Sequence, residues 1–195
     1  MPRVFVYGAQ MAHPESVGAA WPARIADHAV RFVVRGVPLF EPAFAGLEPA
    51  PGETALGVII DFSDETWAKL VRFERGYEVV ELDAELLDPD HAAEIHSRGA
   101  TVTCFAFRLD PRQRTATPRR PSARYARKLA AGARAHGLPP ELIARYERAV
   151  SEGGRASLAL AWLFPLASRI GLVSTTALVG LLLAGLAFAL VHLLG

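Results

Sequence analysis

Val4-Phe5-Val6-Tyr7-Gly8-Ala9-Gln10-Met11 reads as a buried strand that stops abruptly in a tight loop. Val, Phe and Val are β-prone, and the three stand together with no polar interruption. Gly8 admits a backbone turn that side chains resist, and lets the amides of the next residues point outward together. Such a nest of N–H groups holds a carboxylate or a developing oxyanion. Tyr-Gly after a strand is also common in plain turns, so the stretch takes its meaning from the rest of the chain.

Pro14–Ile25 is expected to include a short helix, and Ala29–Leu39 reads as a strand broken by Gly36 and Pro38. Phe40–Gly52 is rich in Pro and Gly and reads as loop, ahead of a strongly apolar strand at Thr54–Phe62. Ser63 is placed to cap a helix over Asp64–Phe73, whose acidic first turn suits the helix dipole. That helix runs into Glu74-Arg75-Gly76-Tyr77, where the glycine ends it. Val79, Val80, Leu82, Ala84 and Leu86 mark a strand, followed by a polar loop through Gly99 and another strand to Leu109. Pro111–Pro121 reads as a basic linker. Two helices come next, Ser122–His136 and Pro140–Val150, separated by Gly137-Leu138-Pro139, a C′ glycine with a trailing proline. Strands come first and helices last, with no regular βαβ alternation. This predicts an α+β fold, a small mixed-strand barrel or sheet covered by helices.

The chain has 195 residues, and its net charge of +1 offers no electrostatic case for nucleic acid. Cys104 is the one cysteine, so an intrachain disulfide is impossible. With no basic or His neighbour beside it, it reads as a buried structural thiol. From Ile170 to Gly195 there is no charged residue. As a helix, Gly171–Leu194 would reach about 36 Å, against a hydrocarbon core of about 30 Å. It is therefore expected to be a single transmembrane span at the C-terminus, a tail anchor. Arg155 and Arg169 before it favour a soluble domain on the cytoplasmic side. The expected organisation is a soluble domain over 1–150, a hinge and interfacial apolar segment over 151–170, and the span over 171–194. Ala156–Ser168, with Trp162 and Pro165, is too short to cross alone and is expected at the interface; a two-helix hairpin is the alternative. Gly180 and Ala184, and Gly185 and Ala189, form a small-residue pattern that allows close helix approach and a homodimer.

Glu74 is the candidate for chemistry, at a helix end, before a glycine and an aromatic, with apolar sequence on both sides. As an ordinary helix-end carboxylate it would be solvated. Desolvated in a pocket, its pKa would rise from about 4.3 toward neutrality, as a general acid or base requires.

Tyr7-Gly8-Ala9-Gln10-Met11, then Glu74 ahead of Gly76-Tyr77, then Ser122-x-x-Tyr125-x-x-x-Leu129-x-x-Gly132-Ala133-x-x-x-Gly137-Leu138-Pro139 occur in that order. With Pro42-Ala43-Phe44 before the Gly57 strand, they make Arg3–Val150 resemble the γ-glutamylcyclotransferase-like (AIG2-like) family. The resemblance implies a compact mixed-strand barrel whose pocket binds a small γ-glutamyl substrate. Amides of the Tyr7–Met11 loop would hold the glutamyl group, and Tyr77 and Tyr125 would line the pocket. Glu74 would take a proton from the substrate's α-amine, which then attacks the γ-carbonyl. The implied products are 5-oxoproline and a free amine or amino acid, with no metal or organic cofactor. The chain departs from the family at Ala9, where Ser or Thr is usual, and at Gln10, where Leu or Asn is usual. Arg75 also separates Glu74 from the glycine, and Cys104-Phe105 stands where a tyrosine is common. A guanidinium of Arg75 aimed at Glu74 would lower its pKa. Two readings are open: a membrane-anchored enzyme of this type, and a non-catalytic ligand- or partner-binding relative tethered to the membrane. Hydrolysis or amide exchange on a larger substrate by the same pocket is a third.

Asp88, Asp90, His91, Glu94 and His96 cluster between two strands and read as a polar loop rather than a metal site. His13, His28 and His136 are scattered and read as structural or surface residues. Arg108, Arg112, Arg114, Arg119, Arg120, Arg124, Arg127 and Lys128 form a basic stretch. It is either a solvated face or, in an anchored chain, a contact for anionic lipid headgroups, each charge near the surface contributing about 1 kcal/mol. No aromatics interleave it, which argues against nucleic acid.

Overall fold

A computed structural model describes residues 1–12, 19–37, 41–74, 76–95, 97 and 99–152. The expected span at 171–194, the apolar segment 156–168, His13, Arg75 and His96 lie outside the described residues. Among the described residues no helix is long and apolar enough to cross a membrane.

The strands are β1 (Arg3–Val6), β2 (Ala20–Val37), β3 (Glu41–Asp61), β4 (Tyr77–Leu86) and β5 (Thr101–Leu109). They close into a mixed barrel in the order β1-β3-β2-β4-β5, with β1 and β5 meeting in parallel. β1 is paired on both sides, antiparallel to β3 (Val4 opposite Ile60) and parallel to β5 (Val4 opposite Phe105). That explains its uninterrupted apolar run: neither edge nor face is left to water. A Cβ on Gly57 would fall 2.5 Å from the Val6 carbonyl oxygen and 2.6 Å from the Phe5 ring, so β3 crosses β1 only where it lacks a side chain.

The structure corrects two expectations from sequence. Phe40–Gly52 is not loop; from Glu41 onward it is the first half of a 21-residue strand. Pro51 and Gly52 fall in a bulge, while Gly46 and Pro49 are paired with Arg31 and His28, so none of them ends the pairing. Register breaks between Ala26 and His28, where Asp27 takes a φ of 56° and its Oδ1 accepts the Gly52 N–H at 2.8 Å. Ala50 to Glu53 are unpaired there, Pro51 to Glu53 being exposed, and pairing resumes at Thr54. The helix expected within Pro14–Ile25 is absent from its described end, since Ala20–Ile25 opens β2. Trp21, Ala23 and Ile25 are buried in alternation, a period of two that Pro22 disguises.

A second break, between Arg31 and Val34, leaves Phe32 and Val33 without β3 partners. Their carbonyls accept instead from Arg119 N and Thr115 N, both at 2.8 Å. The expected linker Pro111–Pro121 is thus pinned along β2. Within the polar loop before Gly99 lies one short helix, α2 (His91–Glu94).

Helix α1 (Asp64–Phe73) starts where expected, with Ser63 Oγ accepting the Thr66 N–H at 3.1 Å. Trp67 fastens it to the barrel by stacking on Phe105, ring centroids 5.4 Å apart. Helix α3 (Ala123–Ala135) buries Tyr125, Ala126, Leu129, Ala130 and Ala133, a helical stripe facing the barrel. It stops in a Schellman turn, Leu138 N to Ala133 O at 2.9 Å and Gly137 N to Arg134 O at 3.1 Å. Helix α4 (Pro140–Glu152) comes next and packs on α3, with Tyr146 fully buried.

Candidate active site

A cavity of about 480 Å³ opens where β1 runs out. Tyr7, Gly8, Ala9 and Gln10 form one side of its lining, and Glu74, Tyr77 and Tyr125 complete the set expected from sequence. Met11 is the exception. It is 2% exposed, is not part of the lining, and anchors the turn from behind.

Gly8 leads into a 3₁₀ turn over Ala9–Ala12, closed by Met11 N donating to Gly8 O at 3.1 Å. The first N–H groups of such a turn have no acceptor within it, so those of Ala9 and Gln10 are available to a ligand. The turn is held against α3. A Cβ on Gly132 would lie 2.8 Å from Met11 Cβ, and His136 Nε2 sits 2.7 Å from Met11 O. Gly132 in the α3 motif therefore lets the loop come close enough to serve the cavity.

Glu74 is the C-cap of α1, its own N–H donating to Leu70 O at 2.9 Å. The helix end thus aims its carboxyl across the cavity, where the Gln10 side-chain amide donates to Oε1. Burial holds the Glu74 carboxyl above its ordinary pKa, and the Gln10 hydrogen bond offsets part of that rise.

Three tyrosines set the floor. Tyr7 Oη donates to Phe107 O at 2.5 Å, and Tyr77 Oη donates to Ala45 O at 2.8 Å. Tyr125 Oη accepts from Ala45 N at 3.3 Å, so two rings grip the peptide groups around one residue of β3. Burial pushes all three phenols upward, which keeps them neutral. Tyr125, accepting from Ala45, retains its O–H proton for a further acceptor. Its hydroxyl would lie 3.5 Å from a Cβ on Gly8, beside the turn.

Sequence reading missed Ala45, Phe44 and Phe107, and also Arg35, Arg124 and Lys128, which bring positive charge to the lining. It missed Glu41 as well, because that residue fell in the supposed loop. Glu41 is 3% exposed and accepts from Ser122 N at 3.1 Å, Ser122 Oγ at 2.8 Å and Arg124 at 3.1 Å. It fixes the start of α3, while Ser122 Oγ caps Tyr125 N at 3.0 Å and so orients that ring.

Other candidates lie elsewhere. Glu94 accepts from the Trp21 indole at 3.1 Å, and Asp88 Oδ1 accepts from Asp90 N at 3.0 Å. Among the described residues no group of three His, Cys, Asp or Glu side chains gathers to hold a metal. Cys104 is buried, and burial pushes its thiol up to about 12. In the basic stretch, Arg108 pairs with Glu78 at 3.0 Å, Arg114 with Glu48 at 2.7 Å and Arg124 with Glu41 at 3.1 Å.

A half-buried acid facing a Tyr-Gly turn inside a five-stranded barrel is the arrangement implied by the resemblance. The family described as gamma-glutamyl cyclotransferase, AIG2-like, matches residues 4–127. The chain belongs to this family. No match was found among curated proteins. Among solved structures, a gamma-glutamyl cyclotransferase is 20% identical, with 74% of this chain and 85% of that one covered and a TM-score of 0.59. A yeast gamma-glutamyl cyclotransferase specific to glutathione is 17% identical over 79% of this chain and 97% of that one, with a TM-score of 0.56. YkqA from Bacillus subtilis is 18% identical over 78% of this chain and 56% of that one, TM-score 0.54. At these identities the likeness is one of fold: this is the cyclotransferase barrel.

Proposed function

We propose that this chain converts a γ-glutamyl amide or peptide into 5-oxoproline and a free amine or amino acid, with Glu74 as general base and then general acid. The observation that carries this reading is a sheltered carboxyl of raised pKa sharing one cavity with the Gly8–Gln10 turn. A cavity of about 480 Å³ suits a substrate of dipeptide to tripeptide size.

In this reading Glu74 accepts a proton from the substrate's α-ammonium group. The freed nitrogen attacks the γ-carbonyl carbon of the same molecule, forming the ring's C–N bond. The N–H groups of the turn and the Tyr125 hydroxyl stabilise the oxyanion that develops. Glu74 then returns its proton to the departing nitrogen as the original amide bond breaks, and the carboxylate so regenerated takes the second proton from the ring nitrogen, leaving the neutral lactam N–H and passing that proton to the released amine. One substrate becomes two products, and no water is consumed. Because nucleophile and electrophile share one molecule, the protein's work is to fold the substrate and carry two protons in turn from the α-nitrogen to the departing nitrogen.

The test incubates full-length protein with a panel of γ-glutamyl compounds and measures 5-oxoproline. Turnover lost in Glu74→Gln supports the reading. Absence of 5-oxoproline from every compound, or a variant as active as the parent, refutes it, and binding without turnover would favour the non-catalytic alternative. A membrane tether through 171–194, with the soluble domain cytoplasmic, belongs to the same proposal and is supported by the uncharged C-terminal sequence. A tether would also bring the basic stretch near anionic headgroups. A fluorescent fusion that stays with membranes after deletion of 171–194 would refute this anchor.

A further inference from the structure

We propose that Arg35 and Lys128 make this cavity selective for substrates whose departing half carries an anion; the inference rests on the cyclotransferase reading of the site. Arg35 comes from β2, and Arg124 and Lys128 come from α3, one helical turn apart on the same face. All three line the cavity, and among the described residues Glu74 is its one acidic lining residue. The cations are the solvent-facing members of the lining, whereas Tyr7, Tyr125 and Ala45 are buried. Charge therefore sits at the mouth and the neutral hydroxyls sit within.

Arg124 is committed to the buried carboxylate of Glu41, which offsets its charge and fixes its position. Arg35 and Lys128 make no ion pair with any carboxylate among the described residues. Two like charges at one opening repel each other unless an anion lies between them.

The reaction gives that opening a direction. The γ-carbonyl and α-amine must lie beside the partly buried Glu74 and the Gly8–Gln10 turn. The departing half then extends toward the mouth, past Arg35 and Lys128. A carboxylate on it is attracted by both, and a protonated amine is repelled by both. Exposed pairs of this kind change affinity by roughly two- to five-fold each, so the pair together discriminates by about ten-fold. Shared use of the cations by the glutamyl α-carboxylate would give no such discrimination, because that group is present in every substrate.

The experiment compares γ-glutamylglycine, γ-glutamylglycinamide and γ-glutamyl-(2-aminoethyl)amide, whose departing halves are similar in size and end in an anionic, a neutral and a cationic group. Full-length wild-type protein is expected to turn over the glycine compound with a kcat/KM about ten-fold above the glycinamide, and the aminoethyl compound least well. Arg35→Gln combined with Lys128→Gln should abolish this order through KM rather than kcat, and added salt should flatten it in the parent. Calorimetric binding to Glu74→Gln protein reads charge selection separately from chemistry. Equal affinity for the glycine and glycinamide compounds overturns the inference, whether or not 5-oxoproline is formed. Preferred binding of the glycine compound, with no turnover of any of the three, supports the charge selection and overturns the cyclotransferase reading instead.

Discussion

Gly132→Ala sets two effects of known sign against each other. Alanine in the middle of α3 gains helix propensity of about 0.8–1 kcal/mol over glycine. Its Cβ, however, would lie 2.8 Å from Met11 Cβ, 3.1 Å from the Met11 carbonyl carbon and 3.2 Å from Ala12 N. Two of these neighbours are backbone, so no rotamer change relieves the clash. Reaching ordinary contact at 3.4 Å requires the turn to retreat by about 0.6 Å. His136 at Met11 O resists that movement. Overpacking of this kind costs about 1–3 kcal/mol, leaving a net destabilisation of roughly 0–2 kcal/mol. For a domain of this size that lowers Tm by roughly 0–8 °C. The effect on chemistry is larger, because the retreating turn carries the Gly8–Gln10 amides with it. A displacement of about 1 Å can cost 100-fold, so about 0.6 Å predicts a loss near ten-fold in kcat/KM. Thermal melts and 5-oxoproline formation by chromatography measure the two quantities on one preparation. A variant with parental kcat/KM and a raised Tm would show that the turn yields freely and that helix propensity decides. The link drawn from α3 to the site would then be wrong.

Glu74→Gln tests stability as well as turnover. Because burial holds this carboxyl above its usual 4.5, its contribution to stability is full below that value and is lost as pH rises through the folded-state pKa. The variant should melt with the parent near pH 4 and above it at pH 8; a relative loss of stability with rising pH contradicts the burial argument. Gln10→Ala removes the hydrogen bond that draws the Glu74 pKa down, so the acidic limb of kcat/KM against pH should move to higher pH. A downward movement would mean that Gln10 does not favour the carboxylate. Tyr77→Phe and Tyr125→Phe each remove a hydrogen bond at Ala45, at about 1 kcal/mol apiece by denaturant melts. Since both grip the same stretch of β3, the double variant should depart from additivity by at least about 0.5 kcal/mol, and strict additivity would refute the shared grip.

What could be read from sequence was set by local chemistry. The Ser63 cap before α1 and the Gly137 turn after α3 depend on residues within a few positions, and both stand where local chemistry puts them. The apolar run of β1 was legible because a strand paired on both sides has no polar face to dilute its pattern. The first half of β3 was illegible for the converse reason. Pro42, Pro49 and Pro51 and two glycines are loop chemistry in isolation; pairing with β2 holds Gly46 and Pro49 in the strand, and the bulge opposite Asp27 accommodates Pro51 and Gly52. That misreading also hid Glu41, whose partners Ser122 and Arg124 lie 81 and 83 residues away.

The site divides along the same line. Tyr7, Gly8, Glu74 and Tyr125 were recognisable as motif positions, but motif spacing says nothing of which side chains share a cavity. Gln10 was read for its backbone N–H, whereas its amide side chain reaches Glu74 across 64 residues. Barrel closure creates that contact, by bringing the turn after β1 against the strand-bound end of α1. The same closure brings Arg35 beside the N-terminal turns of α3, although in sequence the two lie in a strand and in a basic stretch with no evident relation. A hydroxyl at position 9 is absent, yet a neutral hydroxyl from Tyr125 stands beside the turn. The departures at Ala9 and Gln10 therefore leave intact what the proposed chemistry needs: N–H groups from the backbone, a neutral O–H donor, and an acid whose pKa is tuned by a neighbour that carries no charge.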